Sequence, residues 1–169
     1  MSIKGGIYIK IEPNKYNESI LYKMSVFSKK DRYSNQFIKH NVEVNEYNIH
    51  KIVYNLGLVN VPEIYHYDKS NKNMSMKKIN QLCLSDMYGA NAISIPTHIF
   101  DQIREIIKIL HYNYIDYPDI TGYNFIEDKN GKVWIIDFGH AKCRNLNEKA
   151  NPFVTKFING FNGWNPKFR

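Results

Sequence analysis

The chain has 169 residues and a mass of 20.0 kDa, which allows one domain of common size or two small lobes and excludes a large multidomain enzyme. Hydrophobic residues make up 43% and aromatic residues 14%, so the chain can pack a core and is not expected to be disordered throughout. A net charge of +7 favours anionic partners such as nucleotides, nucleic acid or phospholipid. We give this charge little weight, because the residues of A/T-rich codons, Lys and Asn among them, are abundant throughout.

The first third of the chain is predicted to contain a hairpin and a helix. Two β-branched and aromatic runs within residues 7–27 flank a turn-rich segment, which predicts two strands. A polar stretch, residues 28–35, then leads into apolar positions at helical spacing, from Val42 to Leu56. Gly57 follows at a position typical of a helix C-cap.

Two further strands and a second helix are predicted next. Residues 61–68 and 74–79 alternate as strands around a polar turn. A helix is predicted to begin near Pro96, with an apolar stripe that ends at Leu110. Residues 115–126 are predicted to form a loop, and a hairpin turn then precedes the short apolar strand at 133–136. The organisation thus changes from sheet to helix along the chain.

Residues 117–124, Tyr-Pro-Asp-Ile-Thr-Gly-Tyr-Asn, carry the most informative pattern together with Asp137-Phe138-Gly139. Here the sequence resembles the protein-kinase-like family, whose catalytic loop has the form H-R-D-L-x-x-x-N and whose metal loop is D-F-G. Asp119 and Asn124 keep the family's Asp-to-Asn spacing, and an apolar strand precedes Asp137 as the family requires. The three motifs in this order are far more specific than any one of them.

The resemblance implies phosphoryl transfer from ATP with Mg²⁺. This reaction needs mainly positioning and charge neutralisation, so a carboxylate near the acceptor hydroxyl and oxygen ligands for the metal are required. By resemblance, Asp119 would orient or deprotonate the acceptor, and Asn124 and Asp137 would hold the metal.

The resemblance also implies a lysine on the nucleotide phosphates, held by a glutamate of the following helix. Lys23, in the run Ile-Leu-Tyr-Lys, is similar to the V-A-I-K lysine of the family. Glu46 on the first helix is similar to its partner, and Glu43, almost one turn earlier, competes for that role.

Further nucleotide contacts follow from the same resemblance. The segment from Lys77 to Ile79 would form the hinge against which an adenine ring rests. Gly5 and Gly6 are the only counterpart of the glycine-rich loop, so coverage of the phosphates is thin.

Departures from the ordinary kinase pattern indicate an atypical branch. Thr121 stands where serine/threonine kinases have lysine, and the loop Asp-Ile-Thr-Gly-Tyr-Asn is more similar to those of the RIO kinases and of the small kinase in the KEOPS tRNA-modification complex. Only 30 residues follow Gly139, and none forms the A-P-E motif that precedes the peptide-docking helices. We expect the aromatic C-terminal tail to pack back on the large lobe instead. The chain also resembles short kinase-like proteins of large DNA viruses.

The expected fold is α+β: a two-lobed protein-kinase-like fold with a truncated C-terminal lobe. A small β-rich nucleotide-binding lobe is predicted at residues 1–79 and a reduced, mostly helical catalytic lobe at 80–169. The expected function is that of an ATP- and Mg²⁺-dependent, serine/threonine kinase-like phosphotransferase. The motifs do not identify its acceptor, for which a protein is one candidate. The alternatives are a catalytically inactive module that binds nucleotide or a partner protein, and an atypical kinase associated with RNA.

Other titratable and aromatic residues are assigned structural roles. His140 is interpreted as polar packing in its loop, and the two tryptophans as core. Cys83 and Cys143 fit no metal-binding spacing and do not indicate a disulfide scaffold. Neither a signal segment nor an apolar run of membrane-spanning length is visible, so we expect an intracellular, cytoplasmic protein without a membrane partner.

Overall fold

A three-stranded antiparallel sheet begins the part of the chain that the computed structural model describes, residues 35–168. Its strands are β1 (Gln36–Lys39), β2 (Ile64–Asp68) and β3 (Asn73–Lys77), in the spatial order β1-β3-β2. Strand β3 is central because it pairs with both neighbours, and Lys39 of β1 lies opposite Met74. The hairpin predicted within residues 7–27 lies outside the described residues.

Strand β1 corrects the predicted order of elements, which has no strand directly before the first helix. Only Phe37 and Ile38 are apolar in this strand, and they are 50% and 51% exposed. A strand of four residues without a buried, alternating face leaves no periodicity to detect. The strand is held instead by its ladder to β3.

Helix α1 (Val44–Leu56) follows the first strand and confirms the predicted helix. It ends at Gly57, whose φ of +64° places it in the left-handed region that glycine adopts without a Cβ penalty. Ile49 and Val53 are buried on one face of the helix, at the spacing expected for a core-facing stripe. Glu46 and His50 are buried as well, which the apolar pattern alone does not predict.

The helical part of the described chain consists of α2 (Leu84–Tyr88), α3 (Thr97–Tyr112) and α4 (Pro152–Ile158). The stripe predicted for α3 is confirmed, and the helix begins directly after Pro96. Its buried members are Ile99, Phe100, Ile103, Ile106, Ile107 and Leu110.

Four short strands complete the architecture. They are β4 (Ile115–Asp116), β5 (Phe125–Glu127), β6 (Val133–Ile135) and β7 (Lys142–Cys143), paired antiparallel as β4 with β7 and β5 with β6. The predicted hairpin before residue 133 is confirmed. The loop predicted over 115–126 is corrected, because it contains β4 and β5, which are too short to show a pattern.

Two hydrophobic clusters stabilise the structure. Val42, Met74 and Met76 form the smaller one, under the three-stranded sheet. The larger one includes Ile49 and Val53 of α1 together with the stripe of α3 and the C-terminal aromatic residues.

The tail packs back on the helices, as predicted: Trp164 is 3% exposed and its ring lies 5.0 Å from that of Phe100. The architecture is the mixed α+β type expected. The predicted division into lobes at residue 79 stays a prediction. Within residues 35–168, the helices are too short or too polar to cross a bilayer.

Candidate functional site

A cleft cavity of about 440 Å³ lies between the three-stranded sheet and the loop that carries Asn124. Four residues singled out from the sequence line it: Lys77, Ile79, Asn124 and Asp137. Apolar side chains from both sides complete the walls, among them Phe37, Met76, Ile126 and Ile136. A mainly apolar cavity with a few polar side chains is typical of a small-molecule site. We call the part of the cavity where Lys39 and Asp137 meet its polar end.

Lys39 bridges two carboxylates at the polar end of this cleft cavity. Its Nζ donates to Glu46 Oε1 at 2.5 Å and lies 2.6 Å from Asp137 Oδ2. Glu46 is 6% exposed, whereas Glu43 is exposed and pairs with Lys72. Of the two glutamates considered from the sequence, Glu46 is therefore the one that contacts a lysine of the cleft.

The lysine in this contact is Lys39, whereas the motif pattern predicts Lys23. Lys23, Gly5 and Gly6 lie outside the described residues, so their assigned roles stay predictions. The run Gln-Phe-Ile-Lys that ends at Lys39 has the apolar pair and terminal lysine of the V-A-I-K pattern, and it stands seven residues before Glu46. This pattern is present in the sequence, but the polar residues before it make the segment resemble a loop, so no strand is predicted there.

Charge and burial together shift the pKa values of this group. Burial raises the pKa of Glu46 above its ordinary value, although the neighbouring ammonium group of Lys39 opposes the shift. Burial would lower the pKa of Lys39, but the carboxylates of Asp137 and Glu46 outweigh it, so the net shift is upward. Lys39 therefore stays protonated and anchors both carboxylates.

The segment Asp137-Phe138-Gly139 is fixed from several directions. Tyr117 Oη donates to the backbone carbonyl of Asp137 at 2.5 Å, and Gly139 N donates to Asp137 Oδ1 at 2.8 Å. Phe138 is fully buried between the rings of Tyr117, at 5.7 Å, and His50, at 5.2 Å. Burial, reinforced by nearby carboxylates, raises the pKa of Tyr117 well above its ordinary value, so the phenol remains a donor.

The loop that carries Asp119 and Asn124 is closed by its own hydrogen bonds. Asn124 Nδ2 donates to the backbone carbonyl of Asp119 at 2.9 Å, and Asn124 N donates to Thr121 O at 3.1 Å. The amide oxygen of Asn124 is then a candidate metal ligand on the wall it shares with Asp137.

His140 contacts the carboxylate of Asp119. Its Nδ1 lies 3.0 Å from Asp119 Oδ2, while Thr121 Oγ1 donates to Oδ1 at a longer 3.3 Å. The ring of Phe168 packs on the imidazole, with 4.8 Å between ring centres. The expectation that His140 only packs in its loop is therefore incomplete, because the side chain also contacts a carboxylate. This contact could not be predicted from the sequence, since it depends on the geometry of the turn that precedes His140.

The C-terminal tail supports the same loop from behind. Asn165 Nδ2 donates to Pro118 O at 2.7 Å, and Asn165 N donates to Ile120 O at 2.9 Å. Gly122 is confined between the tail and α2, since a Cβ there would lie 2.5 Å from Ser85 Oγ and 3.0 Å from Trp164 Cζ2. The sequence gives no direct signal for these contacts.

Oxygen atoms at the polar end of the cleft cavity suit a magnesium ion. The described residues contain no group of three or more His, Cys, Asp or Glu side chains able to hold a metal ion. Asp137 and Asn124 supply one carboxylate and one amide oxygen on a common wall. Mg²⁺ in nucleotide sites usually takes one or two such protein ligands and completes its shell with phosphate oxygens and water. The donor set therefore fits a metal that arrives with a nucleotide.

Comparison with known proteins adds four similarities. Residues 8–160 match the family described as RIO domain. Over 87 residues, 52% of the chain, the sequence is 38% identical to a probable bifunctional tRNA threonylcarbamoyladenosine biosynthesis protein of Methanocaldococcus jannaschii. Over 130 residues, 75% of the chain, it is 27% identical to the probable serine/threonine-protein kinase glkA of Dictyostelium discoideum. The structure of the Cydia pomonella granulovirus kinase PK-1 matches 69% of the chain, with a TM-score of 0.51 and 15% identity.

These matches differ in what they establish. The chain spans 15% and 26% of the lengths of the two curated relatives, and 46% of the viral kinase chain. At 15% identity, the likeness to the viral enzyme concerns the fold alone, which is kinase-like and mixes helices with small sheets.

Proposed function

Because the chain belongs to the RIO domain family, an atypical branch of the protein-kinase-like superfamily, we propose that it transfers a phosphoryl group from Mg²⁺-bound ATP to an acceptor hydroxyl. One observation carries the proposal: Lys39 bridges Glu46 and Asp137 at the polar end of a cleft cavity that Asn124 also lines. Phosphoryl transfer requires a cation and metal ligands close to the nucleotide phosphates, and this end of the cavity supplies both.

The walls of the cleft cavity would hold the nucleotide. Phe37, Met76 and Ile126 offer apolar surface for an adenine ring. The segment from Lys77 to Ile79 also lines this cavity, although the backbone amides of Lys77 and Lys78 already donate to carbonyl groups of the chain itself. The phosphates would then extend toward Lys39. We assign the phosphate-binding role to Lys39, because it contacts Glu46.

Asn124 and Asp137 would hold the metal ion. When bound, Mg²⁺ neutralises charge on the phosphate oxygens and fixes their orientation. Asp137 is prepared for this role by Gly139, whose amide fixes one carboxylate oxygen at 2.8 Å. Lys39 occupies the other oxygen at 2.6 Å, so a bound nucleotide would share this lysine with Asp137.

Asp119 would accept the proton of the attacking hydroxyl. The acceptor oxygen forms a bond to the γ-phosphorus, the bond from that phosphorus to the β,γ-bridging oxygen breaks, and ADP leaves. The proton moves to a carboxylate oxygen of Asp119. His140 holds Oδ2 at 3.0 Å and thereby orients Oδ1 for this task.

A protein hydroxyl is the acceptor class we propose. The relative from Dictyostelium is named as a probable serine/threonine-protein kinase, and it matches 75% of this chain. The relative from Methanocaldococcus, named for tRNA modification, is more similar but over a shorter stretch. We therefore propose serine or threonine as acceptor.

Nucleotide binding and phosphate transfer, measured on the same variants, test this function. Wild type should show a thermal shift with Mg²⁺·ATP and transfer phosphate to itself or to a protein substrate such as casein. Asp137→Ala should lose the magnesium-dependent part of the shift. Asp119→Asn should keep the shift and lose at least about 100-fold in transfer rate. Asp101→Asn, on the exposed face of α3, is the matched control. Transfer that is unchanged in Asp119→Asn would contradict the proposal.

A second function, nucleotide binding without catalysis, is favoured by the contacts of Asp119 and Asp137. Both carboxylates are occupied by cationic or hydrogen-bonding groups of the chain itself. In that case wild type would show the thermal shift with Mg²⁺·ATP but release no phosphate over several hours.

A further inference from the structure

A second cavity, of about 420 Å³, lies beside the catalytic loop, and we call it the tail cavity. Three parts of the chain line it: the loop itself, the region of α2 and the segment after it, and the C-terminal tail. The lining side chains include Ser85, Asn91, Thr121, Tyr123, Trp164 and Phe168. None of the functional assignments made so far uses this space.

Two lining residues connect the tail cavity to the proposed base and to the cleft cavity. Thr121 lines it and donates from Oγ1 to Asp119 Oδ1, the oxygen that His140 does not hold. Tyr123 lines both the tail cavity and the cleft cavity. An acceptor in the tail cavity would therefore have the base on one side and the nucleotide site on the other.

The lining of the tail cavity is uncharged. Ser85, Asn91 and Thr121 contribute hydroxyl and amide groups, and Trp164 and Phe168 contribute aromatic surface. No lining residue among those described carries a formal charge. A ligand with Lys, Arg, Asp or Glu side chains would lose hydration here and gain no countercharge.

Trp164 contributes aromatic surface to the tail cavity and not a hydrogen-bond donor. Its indole N–H has almost no accessible surface and no hydrogen-bond partner among the described residues, so a ligand in the cavity does not reach it. The peptide groups of a ligand would pair instead with the hydroxyl and amide groups of Ser85, Asn91 and Thr121.

We propose that the tail cavity is the acceptor site, and that it binds an uncharged peptide segment in which small residues flank the hydroxyl-bearing one. This inference rests on the proposed phosphotransfer. Aromatic walls and hydroxyl groups suit short side chains and backbone amides. The volume lies within the range of about 300–1,000 Å³ typical of sites for small ligands, so it receives a short segment and not a folded surface. The C-terminal tail thus builds part of the acceptor site.

Filling the tail cavity tests its role. Ala90 lines it and is exposed, so Ala90→Phe should fill the space without disturbing the core. Ser94→Phe places the same side chain at an exposed position that does not line the cavity, and it is the matched control. Retention of the thermal shift with Mg²⁺·ATP shows that each variant is folded.

Two measurements use these variants. The first is phosphate transfer to three serine peptides, whose serine is flanked by Gly and Ala, by Lys and Arg, or by Asp and Glu. The second is fluorescence in a Trp134→Phe background, where Trp164 is the one remaining tryptophan. It reports peptide binding independently of turnover.

Wild type should prefer the Gly/Ala peptide, and this peptide should change the Trp164 emission. Ala90→Phe should raise the KM for that peptide at least tenfold and abolish the emission change, whereas Ser94→Phe should match wild type. Equal KM values in the two phenylalanine variants, a preference for a charged peptide, or binding of a small polyol such as glycerol in place of every peptide would overturn the inference. Loss of transfer in wild type with the emission change intact would refute the proposed reaction and leave the peptide site standing.

Discussion

Replacing Lys39 by methionine tests how the cleft is held together. The variant keeps an unbranched side chain one atom shorter than lysine but leaves Glu46, 6% exposed, as a buried carboxylate without its cation. Two unit charges 2.5 Å apart attract by roughly 6 to 7 kcal/mol at an effective dielectric constant of about 20, and desolvation of both groups offsets much of this. Removing one partner of a buried pair typically costs about 3–5 kcal/mol. Because the Lys39 side chain is 23% exposed, we expect about 2–3 kcal/mol at pH 7.5.

The stability lost in Lys39→Met should be smaller at low pH than at neutral pH. Burial already raises the pKa of Glu46, and removal of the opposing ammonium group raises it further. A carboxyl group whose pKa is higher in the folded state favours folding below its unfolded pKa, and this contribution is lost as pH rises through the folded pKa. Lys39→Met should therefore be closer to wild type at pH 5 than at pH 7.5. The double variant Lys39→Met/Glu46→Gln no longer has a carboxylate at position 46 and should regain part of the stability at pH 7.5.

Urea unfolding of the four proteins of this cycle, followed by circular dichroism at both pH values, measures these differences. The coupling energy between the two positions should be about 1–3 kcal/mol at pH 7.5. The reasoning is refuted if Lys39→Met loses less than about 0.5 kcal/mol there, or if Glu46→Gln adds to its loss.

Three further predictions concern the groups around the site. His140→Leu should lower kcat for phosphate transfer about tenfold without changing the KM for ATP. His140→Asn can keep a nitrogen near Asp119 and should retain most of the rate. Equal rates in the two variants would show that the contact between His140 and Asp119 is not used. Burial lowers the pKa of His50, so the unfolded chain takes up a proton at a higher pH than the folded chain does. The free energy of unfolding should therefore fall as pH drops below about 6.5, by at most about 1.4 kcal/mol per pH unit. Urea titrations of His50→Gln should show a weaker dependence of this free energy on pH. Asn165→Ala removes a donor 2.7 Å from the carbonyl of Pro118 and should cost about 1–3 kcal/mol, with faster hydrogen exchange in the loop from Pro118 to Asn124. Unchanged exchange would show that the tail does not hold that loop.

The sequence predicts those features that depend on local pattern. The stripe of α3 repeats at helical spacing over sixteen residues, and the structure buries it as expected. Gly57 is predicted to end α1 because a left-handed residue is needed there, and its φ is positive. The motif residues Asn124 and Asp137 are recognisable because their order and spacing are fixed by the chemistry, and both line the cleft cavity.

Features that depend on tertiary contacts were missed or assigned elsewhere. Lys39 lies in a strand of four residues whose apolar side chains are half exposed, whereas Lys23 lies in a longer apolar run, so the sequence pattern favours Lys23. The contact of His140 with Asp119 joins residues 21 positions apart through the turn at Gly139. Asn165 lies 47 positions from Pro118, in a tail with weak helical pattern. Sequence supplies the candidates in each case, but only the packing of distant segments selects the pair.

The position of Ile49 and Val53 in the larger hydrophobic cluster bears on the conformational equilibrium of the site. Both side chains belong to the helix that carries Glu46, and both are at most 1% exposed. Rotating that helix outward to separate Glu46 from Lys39 would return them to water, at about 1.5–3 kcal/mol for each side chain. A state that costs about 3–6 kcal/mol is populated by roughly one molecule in two hundred to one in twenty-five thousand. The ion pair is therefore preassembled before any nucleotide arrives, and an effector that disassembled it would have to bind the rotated state more tightly by the same free energy.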